Sequence, residues 1–177
     1  MNLSERVARL EQDLARLKRE KTSIGARGEQ NLFVDKTGEI RIRAWVGRQG
    51  LNLSLTDKNG NIRTVLGVKD DGPWLSLVDE NQKKRVELNA DNDGQGLTLR
   101  DENNKDRVAL GASRNGAGLC LSDENGKVRV RLGHSDEGAG LIMYDEKGRT
   151  RARLDVDNDG PRLTLLSESG ELLWSIP

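Results

Sequence analysis

The sequence predicts a mainly β repeat protein: seven 22-residue β-hairpin repeats forming a trimeric β-prism or fibre, with a single-chain β-solenoid as the alternative, preceded by a short N-terminal coiled coil. Three observations predict it. A Leu-x-Leu pair recurs at a step of 22, Asn-Gly dipeptides sit between alternating apolar runs, and the first residues carry a heptad. The expected organisation is an oligomerisation helix over 1–24, a linker over 25–30 and a seven-repeat β domain over 31–177.

The leader comes first. Leu3, Val7, Leu10, Leu14, Leu17 and Ile24 alternate spacings of four and three, with Lys21 interrupting. That spacing is a coiled-coil seam, with Val7 and Leu14 at a and Leu3, Leu10 and Leu17 at d. Asn2 or Ser4 is placed to cap the helix. A helix this short is marginal alone in water, so its apolar stripe needs partners. The segment from Arg6 to Glu11 puts Arg at g, Val7 at a, Leu10 at d and Glu at e. It resembles the trimerisation signature of short coiled coils. A dimeric coil and a helix packed on the body are the other readings. Gly25 and Gly28 then mark the polar linker.

The repeat follows. Its apolar pairs include Leu75/Leu77, Leu97/Leu99 and Leu119/Leu121, with Asp79, Asp101 and Asp123 two residues on. Arginine recurs at Arg85, Arg107 and Arg129, followed by Leu88, Leu110 and Leu132. A degenerate first copy begins near Phe33. Asn125-Gly126 is the favoured centre of a two-residue type I′ turn. That turn predicts Leu121 opposite Val130, Leu119 opposite Leu132, Ser122 opposite Arg129 and Cys120 opposite Arg131. The same register pairs Leu77 with Val86, Leu75 with Leu88, Met143 with Ala152 and Leu141 with Leu154, and Leu97, Leu99, Val108 and Leu110 belong to the same expected repeat core. One face is then apolar and the other polar. Arg100 opposite Arg107 is the one poor fit. Gln82 and Asn104 replace the turn glycine in two copies, and Asn tolerates the left-handed region. Segments such as 133–140 read as surface loops.

One-faced hairpins cannot stand alone in water. In a parallel solenoid each Asp and each Arg would stack on its equivalent, whereas an antiparallel meander mixes the charges. With the leader, this favours three chains packing their apolar faces about one axis. In the last copy Leu173 replaces the arginine and would face Leu166, so the terminal unit is a cap or a docking end.

Coil plus short β-repeats resembles the stalks of trimeric fibrous proteins such as phage tail fibres and trimeric adhesins. The Gly170, Trp174, Ser175, Pro177 ending also resembles uncharacterised bacterial 22-residue repeat proteins. The first resemblance implies a structural, non-enzymatic trimer. The second implies no activity.

Composition narrows the function classes. Equal numbers of basic and acidic residues, 29 of each, remove the charge that drives non-specific nucleic-acid or membrane binding. No apolar run approaches membrane-span length. The beginning has no apolar signal region, so the default compartment is cytoplasmic, with a virion or non-classical export as alternatives. The one cysteine, Cys120, excludes an intramolecular disulfide. Asp155, Asp157 and Asp159 resemble the opening of a calcium loop, but Leu166 stands where a bidentate Glu belongs, so no metal or cofactor is expected, with calcium at these three residues as the alternative. His134 reads as a surface-loop residue beside Ser135 and Asp136, and no catalytic residue is assigned. The expected function is a homotrimeric rod or scaffold that spaces and displays its surface. The alternative is a multivalent module for a glycan or protein partner, using the Arg stripe or loops.

Overall fold

A computed structural model describes residues 3–22, 30–48, 50–136 and 138–176, without the side chains of Leu3 and residues 15–22. Residues 25–29 of the expected linker, Ile24 and Pro177 lie outside the described residues. Gln30, expected to end the linker, opens a strand instead.

The chain is mainly β. One helix, α1 (Leu3–Thr22), precedes fourteen strands in one open antiparallel sheet, ordered as they occur in the sequence. They are β1 (Gln30–Val34), β2 (Ile40–Gly47), β3 (Gly50–Thr56), β4 (Ile62–Lys69), β5 (Gly72–Val78), β6 (Lys84–Asp91) and β7 (Gly94–Arg100). Then come β8 (Asp106–Ser113), β9 (Gly116–Ser122), β10 (Val128–Ser135), β11 (Gly138–Tyr144), β12 (Thr150–Asp157), β13 (Gly160–Leu166) and β14 (Leu172–Ile176). Among the described residues α1 packs on no strand.

The leucine register is the one the alternation predicts. Leu121 pairs with Val130, Leu119 with Leu132 and Cys120 with Arg131. Leu77 pairs with Val86 and Leu75 with Leu88.

The turn that sets this register is different from the one expected. The N–H of Gly126 donates to the Asp123 carbonyl at 3.0 Å, and that of Asp123 to the Lys127 carbonyl at 2.9 Å. This is a type I turn with Gly126 in the left-handed region, φ 81°, and its loop has three residues, not two. A three-residue loop slips the pairing by one. Ser122 therefore faces Val128, and Arg129 becomes the extra residue of a bulge that restores the slip before Leu121. The slip also removes the like-charge pair, because Arg100 now faces Asp106 and donates to it at 2.7 Å. In the last unit Leu166 faces Leu172, not Leu173, for the same reason.

Two-residue turns occur at the opposite margin, between units. Lys69 pairs with Gly72 around Asp70-Asp71, and Asp91 with Gly94 around Asn92-Asp93. Such short turns let the strands run on into the segments read as loops. Within 133–140, β10 continues to Ser135 and β11 starts at Gly138. His134 is thus a strand residue facing Ala117 and Ala139.

Candidate functional site

Three features of the sheet are candidates for function: its apolar face, its stitched margin and its glycine-lined face. The apolar face is built from ladders that cross the strands. One carries Leu75, Leu88, Leu97, Leu110, Leu119 and Leu132 in succession. Beside it run Leu77, Val86, Leu99, Val108, Leu121 and Val130. The expected core residues are therefore side by side, yet none is buried. Among the described residues no hydrophobic side chain is buried, and Leu88, Leu110 and Leu132 are about half exposed. Apart from Gly67, the buried residues are polar: Ser54, Ser76, Asp101 and Asp155. A single chain is inside out by the ordinary rule that apolar groups leave water. On α1 the seam residues Val7, Leu10 and Leu14 are exposed too. Arg6 and Glu11 lie on the same helix, as does Leu17, whose side chain is undescribed.

The recurring Asp and Arg have a definite place. Asp123 Oδ1 accepts the N–H groups of Asn125 at 2.9 Å and Lys127 at 3.0 Å. Asp79 and Asp101 accept the equivalent pairs. This is the Asx turn that Asp favours at the first turn position. The Lys127 N–H foremost holds the Asp123 carboxyl below its usual range. The Arg149 side chain holds Asp145 down to about 2.

The repeat arginine extends this motif to the next unit. Arg107 Nε donates to the Ser122 carbonyl at 3.0 Å, Arg129 Nε to that of Tyr144 at 3.0 Å, and Arg151 Nε to that of Leu166 at 2.9 Å. The same guanidinium groups reach back to their own turn aspartates, Arg129 to Asp123 at 3.6 Å and Arg107 to Asp101 at 3.4 Å. Each arginine ties its own turn to the strand end of the following unit. That geometry accounts for the stripe as inter-repeat pairing.

The opposite face has its own ladder of small residues, including Gly96, Gly111, Gly118, Gly133 and Gly140, in succession from β7 to β11. A groove of about 880 Å³ follows it between β6 and β12, with Cys120, Arg131 and Arg153 along it. Arg153 is held by Asp155 at 2.6 Å. Asp157 accepts the Asp159 N–H at 2.9 Å in a local turn. The Asp155 carboxylate is thus engaged by Arg153 and that of Asp157 by the Asp159 backbone, and no group of three or more His, Cys, Asp or Glu that could hold a metal ion occurs among the described residues. Sequence reasoning missed the glycine ladder. Its signal was present, since glycine precedes the Leu-x-Leu pair at Gly96, Gly118 and Gly140 and follows the later leucine at Gly67, Gly111 and Gly133.

No protein-family model matches the chain, and no curated protein matches it either. No helix among the described residues is long and apolar enough to cross a membrane.

Proposed function

We propose that this chain is a non-enzymatic structural rod: a homotrimer whose sheets turn their leucine faces toward a shared axis and whose α1 helices join as a three-stranded coil. The observation that carries the reading is the inverted burial of the single chain, with polar residues enclosed and its leucine ladders in water. Covering such a face is favourable by about 25 cal/mol per Å² of apolar surface. A second copy of the same face is the natural cover, since zero net charge leaves no large repulsion between copies. Fourteen strands spaced about 4.8 Å apart make a rod about 65 Å long. Spacing and repeated display are what such a body supplies.

Light scattering on the full chain, and on a version lacking residues 1–24, tests the reading. A mass near three times 19.6 kDa is the expected result. A truncated form that stays trimeric assigns the interface to the sheet. One that dissociates assigns it to the coil. A full chain that is monomeric at every concentration overturns the trimer.

A second reading, a multivalent module for a glycan or protein partner, is favoured by the groove along the glycine face with Arg131 and Arg153 beside it. A glycan array and a partner screen that stay blank at high protein concentration overturn it.

A further inference from the structure

The sheet is open, and its two edge strands are unlike the strands between them. β1 and β14 each pair on one side only. Open edges present unpaired backbone N–H and C=O groups, and charged residues are a common protection against edge-to-edge pairing. β14, Leu-Leu-Trp-Ser-Ile, is the one even-numbered strand without a charged residue, because Leu173 replaces the repeat arginine. β1, Gln-Asn-Leu-Phe-Val, has none either; it shares this with β3, β5, β9 and β11 but, unlike them, keeps one side unpaired. Both edges are apolar and open to solvent: Phe33 is 62% exposed and Trp174 44%.

The repeat fixes how these edges fit. One 22-residue step carries β12 onto β14, and six steps back carry β13 onto β1. β12 and β13 pair through Ala152 with Leu165, Arg153 with Thr164, and Leu154 with Leu163. Moving that ladder onto the two edges places Trp174 opposite Phe33, Ser175 opposite Leu32 and Ile176 opposite Asn31. We infer that β14 of one copy adds to β1 of a second copy in this register, continuing the meander across molecules. Phe33 and Trp174 both stand on the leucine face, since Phe33 faces Ile42 and Trp174 faces Leu165. The junction thus sets two aromatic rings side by side, an arrangement that adds to simple burial. A contact between two different surfaces is heterologous and builds an open filament unless its rotation closes. The inference does not need the trimer, because the same edge is present on a lone chain.

Paired cysteines test it, in the full chain with Cys120→Ser as background. Leu32→Cys and Ser175→Cys are made separately and mixed under mild oxidation. Directly opposed side chains have Cβ atoms about 4.5–5.5 Å apart, near the range a disulfide spans. The expected product is a two-chain species that forms only in the mixture. Dimers from Ser175→Cys alone show tail-to-tail pairing and overturn the inference. The double variant cross-linking as a single chain shows β1 and β14 closing on each other, and overturns it too. So does the absence of any cross-link.

Light scattering of the unmodified chain gives an independent reading. Average mass is expected to rise by about twofold or more over a hundredfold range of concentration, as an open-ended association requires. Trp174→Asp and Phe33→Asp each abolish the rise while leaving the starting species intact. Growth that survives both variants overturns the inference. Growth in steps of one chain keeps the head-to-tail contact and removes the trimer, so the two proposals fail separately.

Discussion

The two long margins of the sheet join strands by different means. At one margin Asp, or Ser167 in the last copy, holds three-residue turns, and arginines such as Arg107, Arg129 and Arg151 tie a turn to the next unit. At the other, two-residue turns close on glycines, and Asp91, Ser113 and Asp157 accept the N–H two residues on within their own turns. The difference lies in what glycine does. Gly148, in a three-residue turn, has φ 80° and open space where a Cβ would stand. Gly72, closing a two-residue turn, has φ 144°, and a Cβ would come within 1.8 Å of the Ala90 carbonyl oxygen. One margin needs glycine for its dihedral alone; the other, at Gly50, Gly72, Gly94, Gly116 and Gly138 though not at Gly160, needs it for the approach of two strands as well. At the first margin side chains reach from one unit to the next, whereas at the second they act within a turn and the missing side chain of glycine lets the strands close.

Three predictions bear on that contrast. The largest effect belongs to the crowded margin. Gly72→Ala forces backbone to shift and is expected to cost about 3 kcal/mol, whereas Gly148→Ala costs about 1 kcal/mol for its dihedral. Urea midpoints of the two variants measure the difference, and equal costs erase the contrast.

Next comes the Asp at the turn. Asp123→Ala leaves two N–H groups without their acceptor and is expected to cost about 2 kcal/mol, while Asp123→Asn keeps an oxygen there and costs less. The same carboxylates make the stitched margin sensitive to acid. Asp145 falls from the usual 3.8 to about 2 on folding, so its contribution is complete above 3.8 and is lost as pH drops toward 2. A stability profile that stays flat across that window, or equal effects of Ala and Asn, removes the carboxylate from its role.

The smallest effect is a gain. Gln82 occupies the turn-glycine position at φ 61°, a region costly for a side-chain-bearing residue. Gln82→Gly is expected to raise stability by about 1 kcal/mol in the same titration, and a loss counts against the strain.

The leucine pairs were legible in the sequence because a period of two along each strand, repeated every 22 residues, leaves a single register that gathers them on one face. The turn was not. Asn125-Gly126 suits a two-residue turn and equally a three-residue turn with Gly126 left-handed. The decisive residue is Asp123, whose side chain captures two N–H groups and selects the longer form. Two slips cancel, the longer loop and the bulge at Arg129, so Leu121 meets Val130 under either turn. Ser122 and Arg100, which lie between the slips, are where the expectation fails. The glycine ladder was visible residue by residue, but its placement on one face depends on the full set of strand pairings.

Every ladder in the sheet joins neighbours in the chain. Contacts are therefore short in sequence, although the architecture is all β, a class whose folding is commonly slowed by distant pairings. A newly made chain need not wait for its far end before its first strands find partners. Each unit can zip onto the one before it as it emerges, and unfolding can peel from either end in the manner of other linear arrays. The length of such a body is then a copy number: adding or deleting one 22-residue unit changes reach without asking any other unit to fold differently.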